Sequence, residues 1–385
     1  MWIVGLLLVM LTAAGVILVA GPVAGEAMWA DKAVPPSPPP AEPVGIEPVY
    51  TAQAGVDGEI FPAFANYASL QKPRERKLGT ISVRILNSTD HLLKNRVAVQ
   101  VPGWSDQEIQ VVEIAAGESR TVEFAPTFYQ RLYTNREIAP ATALITATDG
   151  SGKVTYSGTL PVRMRAAEDM YWGANFKYAP FIASWVTPHD PLVEAVLSQA
   201  KEFAPGRRLP GYEHWKNTAA QVNSTYVQAR AIYKAVQEKG LSYVKSSMTF
   251  GQHPEISERV RFPRESLRRV SANCIDGAVM YASLFENLGM DPVVVLVPGH
   301  AYVGVREALD SQNYLYIETS LTGRASFDTA VLSASRGLRK YKPQDILRIP
   351  IGQSRQAGIY PMPLPAAVPA RTGPSTAALN AEPQP

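Results

Sequence analysis

The sequence predicts an α+β chain, with an N-terminal antiparallel β-sandwich over about residues 48–168 and a mixed domain over about 169–355. In the second domain a helix that carries the cysteine packs on an antiparallel sheet. Three observations predict this. Short runs of alternating hydrophobicity, divided by turn residues, fill the first part. Helical spacing begins only after Pro188. The 385 residues exceed one ordinary core, and a hydrophobic content of 46% suits a folded chain.

Composition narrows the function classes. Lys+Arg 37 against Asp+Glu 34 leaves a net charge of +3, too weak a bias to predict nucleic acid as a partner. A single cysteine excludes an internal disulfide framework and any multi-cysteine zinc site. The five histidines form no HExxH or HxxxH pair, and GxGxxG and GxxxxGK[ST] are both absent. No acidic calcium loop is visible. Neither a metal nor a cofactor is expected.

The ends read differently from the middle. Trp2 to Gly25 carries no charge and is almost wholly apolar. A signal-peptide core is typically about 7–15 residues and a membrane span about 20, so length favours an uncleaved anchor over residues 1–25. Small residues at Ala20, Ala24, Gly25 and Ala27 offer cleavage points for a signal peptide instead. Either way the rest is expected outside the cytoplasm, in a periplasm or at a cell surface, touching the membrane through this segment if it is uncleaved. A Pro-rich linker follows over 26–47, where Val34 to Pro43 holds six prolines in ten residues and reads as a stiff spacer. Residues 356–385, rich in Pro and Ala, read as a disordered tail.

In the first domain the expected strands are Ile81–Leu86, Arg96–Val101, Ile109–Ile114, Thr121–Phe124, Thr142–Asp149 and the run from Lys153 to Arg165. Their spacing suggests an immunoglobulin-like sandwich without the Cys…Trp…Cys core of antibody domains. Nothing in it looks catalytic. Tyr171 to Pro188 then brings six aromatic residues, which read as a wedge between the domains or as a sugar or peptide platform.

In the second domain Asp190 caps a helix with Pro191 at its first position. A second helix shows apolar residues at Val222, Tyr226, Ala229, Tyr233 and Val236 and stops at Lys239 and Gly240. The informative stretch is Ser271 to Ser320. Ile275, Ala278, Val279, Ala282 and Phe285 have helical spacing, which puts Cys274 at a helix start behind the capping candidates Ser271 and Asn273. Unpaired N–H groups there favour a thiolate. Three strands follow, around Val293–Val297, His300–Arg306 and Asn313–Glu318. A hairpin centred on Leu309 puts Ala301, Val303, Leu315 and Ile317 on one apolar face and sets His300 opposite Glu318 on the other. Cys274 as nucleophile, His300 as base and later acid, and Glu318 as its support make a thiol-catalytic set. The plainer alternative is a small buried cysteine and a strand histidine.

This segment resembles the transglutaminase-like superfamily, relatives of papain-type cysteine proteases. The resemblance rests on Cys274-Ile275-Asp276 at a helix start, the Leu288-Gly289 turn, the strand Val293–Val297, Gly299-His300, and Glu318-Thr319. It is strong over about Arg261–Ser320, weak over the preceding helices, and does not reach the β domain. Two positions depart from the family pattern: Ala272 stands where a glycine is usual, and Glu318 where an Asp is usual. The resemblance implies attack of a Cys274 thiolate on a carboxamide or peptide carbonyl of a protein or peptide substrate. The acyl-enzyme then passes to an amine or to water, giving cross-linking, deamidation or proteolysis. The rival expectation is an inactive scaffold that kept the fold. Asp276 is expected to fix the helix start, and Tyr243 to line the cleft. The five arginines of Arg259–Arg269 read either as a contact for acidic substrate or as a solvated face, and Gly337–Lys342 as surface charge.

Overall fold

The structure, a computed structural model, describes residues 47–76, 78–245 and 257–365. The expected membrane segment, nearly all of the Pro-rich linker and the last twenty residues of the expected tail lie outside them. Among the described residues no helix is long and apolar enough to cross a membrane. The chain is mixed α+β with several antiparallel sheets.

Its first half is built from β1 (Val49–Ala54), β2 (Glu59–Ile60), α1 (Pro62–Ser69), β3 (Ile81–Leu86), β4 (Leu93–Gln100), β5 (Glu108–Ile114), β6 (Ser119–Phe124), α2 (Gln130–Tyr133), β7 (Ala139–Thr148) and β8 (Val154–Met164). Two sheets result, ordered β1-β3-β6 and β2-β8-β7-β4-β5. All pairs are antiparallel except β2 with β8. Strand alternation does what the pattern demands: Ile81, Val83 and Ile85 of one sheet and Val97, Val99 and Ile145 of the other are buried in a single core.

The second half adds β9 (Asp169–Tyr171), α3 (Pro191–Ala200), α4 (Thr218–Glu238), β10 (Ser242–Tyr243), β11 (Ser257–Arg259), α5 (Pro263–Arg269), β12 (Ser271–Ala272), α6 (Cys274–Asn287), β13 (Pro292–Val297), β14 (His300–Arg306), β15 (Tyr314–Ile317), α7 (Phe327–Leu338), β16 (Leu347–Pro350) and α8 (Ile351–Gln356). A four-stranded antiparallel sheet, β15-β14-β13-β16, separates two helical layers. β13 is buried throughout because it has a helix on each side. Val294 and Leu296 join the core that holds α6, and Val293, Val295 and Val297 pack with Ala334 and Leu338 of α7. Asp190 caps α3 by accepting the Leu192 N–H, and α4 ends at Lys239 with Gly240 at a φ of +79°.

The aromatic segment after β9 acts as a wedge. Tyr171, Tyr178 and Phe181 pack with Phe61 and Phe64 at the start of the chain's first helix, and Trp185 stacks on Phe262. β9 also pairs with β11, so the core runs without a break from the first half into the second.

Two expectations need correction. The tail was expected to be disordered from residue 356, but Ile359 and Met362 are buried. Asn66 donates to the carbonyls of Tyr360 and Pro361, and Arg264 to that of Pro365. Apolar side chains at 359 and 362 give this stretch something to bury, which a Pro/Ala tail lacks. The hairpin register is the second. Val303 pairs with Ile317 and Arg306 with Tyr314, so the hairpin centres on Asp310 rather than Leu309. Extending that register sets Tyr302, not His300, opposite Glu318. The cause is the connection, where Ser311 N–H closes a turn onto Ala308 and its hydroxyl accepts from the Asn313 N–H, lengthening the far arm. Each pairing moves by two residues, which leaves every side chain on its expected face.

Candidate active site

Cys274 is the first residue of α6, and the local sequence dictates that start. Asn273 is extended, and its side chain accepts the Asp276 N–H at 2.7 Å while the Asp276 carboxylate accepts the Asn273 N–H at 3.3 Å. This is a capping box closed by an aspartate. Asp276 also accepts the Arg261 N–H at 2.8 Å, so its role is to hold the helix start, as expected. Ser271 lies in β12 instead of capping, and β12 runs parallel to β10 with Tyr243 beside Ala272. The bend from α5 into β12 is made at Val270, whose φ of +50° is unusual for a β-branched residue. One turn into α6, Gly277 leaves room for Thr319. A Cβ there would lie 2.6 Å from the Thr319 hydroxyl, so only glycine lets the helix approach the segment that carries Glu318.

His300 opens β14 directly after a two-residue turn, Pro298-Gly299, between Val297 and its partner His300. Gly299 has a φ of +74°, and Pro before Gly is the type II pattern. His300 Nε2 lies 2.7 Å from Glu318 Oε2. Cys274 is the other group that acts on this ring, through hydrogen bonding and charge. The second carboxylate oxygen, Oε1, accepts from Ser320 twice, at 3.1 Å from its N–H and 2.7 Å from its hydroxyl. Glu318 is only 7% exposed, the His300 side chain 23% exposed, and Cys274 partly exposed. The carboxylate thus sits behind, and the imidazole and thiol reach the surface.

Electrostatics follow from this arrangement. Burial disfavours the imidazolium, but hydrogen bonds to Cys274 and Glu318 and the charges of both outweigh it, and the His300 pKa is pushed up to about 10. Burial likewise works against the Glu318 carboxylate. The His300 and Ser320 hydrogen bonds reverse that and hold its pKa below the usual range. Two tyrosines share this field. Tyr243 is raised by partial burial and then by the charges of Cys274 and Glu318. Tyr302, raised to about 12 by burial and by Glu318, Tyr341 and Cys274, stands edge-on to His300 with ring centroids 4.6 Å apart.

The structure brings Cys274, His300 and Glu318 together. The five arginines before Cys274 are committed to structure. Arg259 pairs with Asp169, Arg261 with Asp276, Arg264 with Asp190 at 2.5 Å, and Arg268 and Arg269 with Glu265. Sequence reasoning missed Ser320 and Gly277. For Ser320 a signal existed: an acid followed two residues on by serine can close a local turn through its own carboxylate. For Gly277 there was none, because its need comes from a residue 42 positions away in the chain. Among the described residues no group of three or more His, Cys, Asp or Glu side chains is arranged to hold a metal ion. No family model matches the chain, and neither a curated protein nor a solved structure gives a match.

Proposed function

We propose that this chain is an extracytoplasmic thiol enzyme of the transglutaminase-like type, tethered by its N-terminal segment and carrying an immunoglobulin-like sandwich ahead of the catalytic part. Its substrates are carboxamides or peptide bonds of proteins and peptides. The observation that carries the reading is the buried Glu318 carboxylate 2.7 Å from the His300 imidazole, a ring whose pKa is also raised by the cysteine at a helix N-terminus. A buried cysteine of purely structural use needs neither the imidazole nor the clamped carboxylate.

The chemistry follows in balanced steps. The Cys274 thiolate attacks the carbonyl carbon, and the oxygen takes the charge beside N–H groups that the start of a helix leaves without internal partners. His300 gives its proton to the departing amine or ammonia as the C–N bond breaks, leaving a thioester on Cys274. An incoming amine or water then loses a proton to His300 as it attacks, and the thiolate leaves. Amine gives cross-linking, and water gives deamidation or proteolysis. Glu318 keeps the ring oriented and its cation stable throughout.

The test is the pH dependence of Cys274 alkylation in the full chain, with His300→Ala beside it. Labelling that stays fast well below the pKa of a free thiol, about 8.5, and slows in His300→Ala is expected. An ordinary thiol profile in both proteins would leave a scaffold with a structural cysteine.

A further inference from the structure

Between residues 321 and 350 the chain carries six Lys and Arg against two Asp, although the whole chain has a net charge of only +3. All six are exposed, and five of them, Arg336, Arg339, Lys340, Lys342 and Arg348, lie from the end of α7 to β16. None makes an ion pair with a described residue, in contrast to the five arginines before Cys274. A helix C-terminus accounts for one or two cations near its last carbonyls, not for five. Four belong to the end of α7 and the turn after it. The fifth projects from β16 on the same side of the sheet, where Arg348 donates to the Tyr316 hydroxyl at 3.1 Å while its neighbour Ile349 faces the α6 side.

That side of the sheet is also the one His300 occupies. His300, Tyr302 and Tyr316 share it, and α7 reaches it at Gly337, where a Cβ would lie 2.3 Å from the Tyr302 hydroxyl. The helix end that carries the rim is therefore separated from the imidazole by the buried Tyr302 ring. We infer that this rim selects the substrate: the acyl donor is a peptide with carboxylates close to the reacting carbonyl, laid across the Tyr302 side of the cleft. The inference rests on the thiol-enzyme reading for its site, while the rim's affinity is measurable without it. A local excess of unpaired positive charge at a cleft attracts an anionic ligand and fixes its direction.

Fluorescein-labelled decaglutamate is the probe, because ten extended residues span about 33 Å and cover both the rim and the cleft. It is titrated at low salt into the full chain carrying Cys274→Ala. A parallel titration uses the same protein with Arg336→Gln, Arg339→Gln, Lys340→Gln and Lys342→Gln added. The expected result is binding that weakens about tenfold in the second protein. In the wild type, decaglutamate but not decaglutamine should slow iodoacetamide labelling of Cys274. Equal binding by both proteins overturns the inference, as does binding that leaves labelling unchanged. Retention on phosphatidylglycerol vesicles without decaglutamate binding also overturns it and assigns the rim to a membrane surface. If iodoacetamide labels Cys274 no faster than a free thiol before any peptide is added, the thiol-enzyme reading falls, and the titration still decides the rim.

Discussion

Two buried carboxylates meet cations in this molecule, and the cations differ. Glu59 of β2 is fully buried against Arg163 of β8 at 3.2 Å and Arg165, just past the end of β8, at 3.5 Å. Arg165 also reaches Asp169 at 2.9 Å and lies over the Phe61 ring. Glu318 is buried as well, yet its partner is a partly exposed imidazole that also feels the Cys274 thiol. A guanidinium does not lose its proton in a protein, so the first cluster stitches β2, β8 and β9 with cations that stay charged. An imidazole can take and release a proton, and His300 does so with its pKa raised to about 10, so the second can do chemistry. The carboxylate is the same in both; what it is paired with decides whether the pair holds or reacts.

Single substitutions should separate the two. Cys274→Ala is expected to lower turnover by about 10⁴-fold or more, with its urea midpoint close to wild type. Arg165→Ala should do the reverse. It removes the one buried cation that Glu59 and Asp169 share, leaving them only the more exposed Arg163 and Arg259, and is expected to destabilise the fold by about 3–5 kcal/mol, read from equilibrium unfolding. Where Arg165→Ala unfolds no earlier than Cys274→Ala, the contrast fails.

Glu318→Gln is expected to have a smaller effect, about a hundredfold on rate. Its sharper signature lies in pH. The folded pKa of His300, about 10, is above its ordinary 6.5, so the stability its charged form contributes is full below 6.5 and is lost as pH rises through 10. In Glu318→Gln that alkaline loss, and the alkaline limit of thiolate–imidazolium labelling, should both move down toward 6.5. A limit unchanged in the variant would mean that Glu318 does not support the ring. Ser320→Ala should have the smallest effect, about two- to fivefold on rate, since the Ser320 N–H still holds Oε1. Glu318 contributes stability above its unfolded pKa that is lost as pH falls through its lowered folded value. Without the Ser320 hydroxyl that value rises, so acid unfolding should begin at a higher pH.

The site was readable where its geometry is local. Asn273 and Asp276 sit three residues apart, which is the spacing of a capping box, so the position of Cys274 on its helix needed no fold. The alternation in Ala301–Val305 and Leu315–Ile317 put His300 and Glu318 on one face even though the register was displaced by two. Strand side chains repeat every two residues, and the apolar pattern cannot tell one such register from the next. The strands Ile81–Leu86 and Thr121–Phe124 were readable for the same reason. β1, β16 and α7 were not among the expected elements, and α7 sets the cationic rim beside Tyr302.

By itself the sequence determined which residues could be reactive: one cysteine at a helix start, one histidine after a Pro-Gly turn, and an acid on the neighbouring strand. Caps, turns and alternation are short-range and follow from a few consecutive side chains. Only the tertiary structure decided that Glu318 reaches His300 diagonally rather than directly across, that Ser320 clamps it, and that Gly277 makes room for Thr319. It also gave each arginine before Cys274 a carboxylate partner and left those after α7 without one among the described residues. These outcomes depend on atoms brought together from tens of residues apart, and no local pattern encodes such distances.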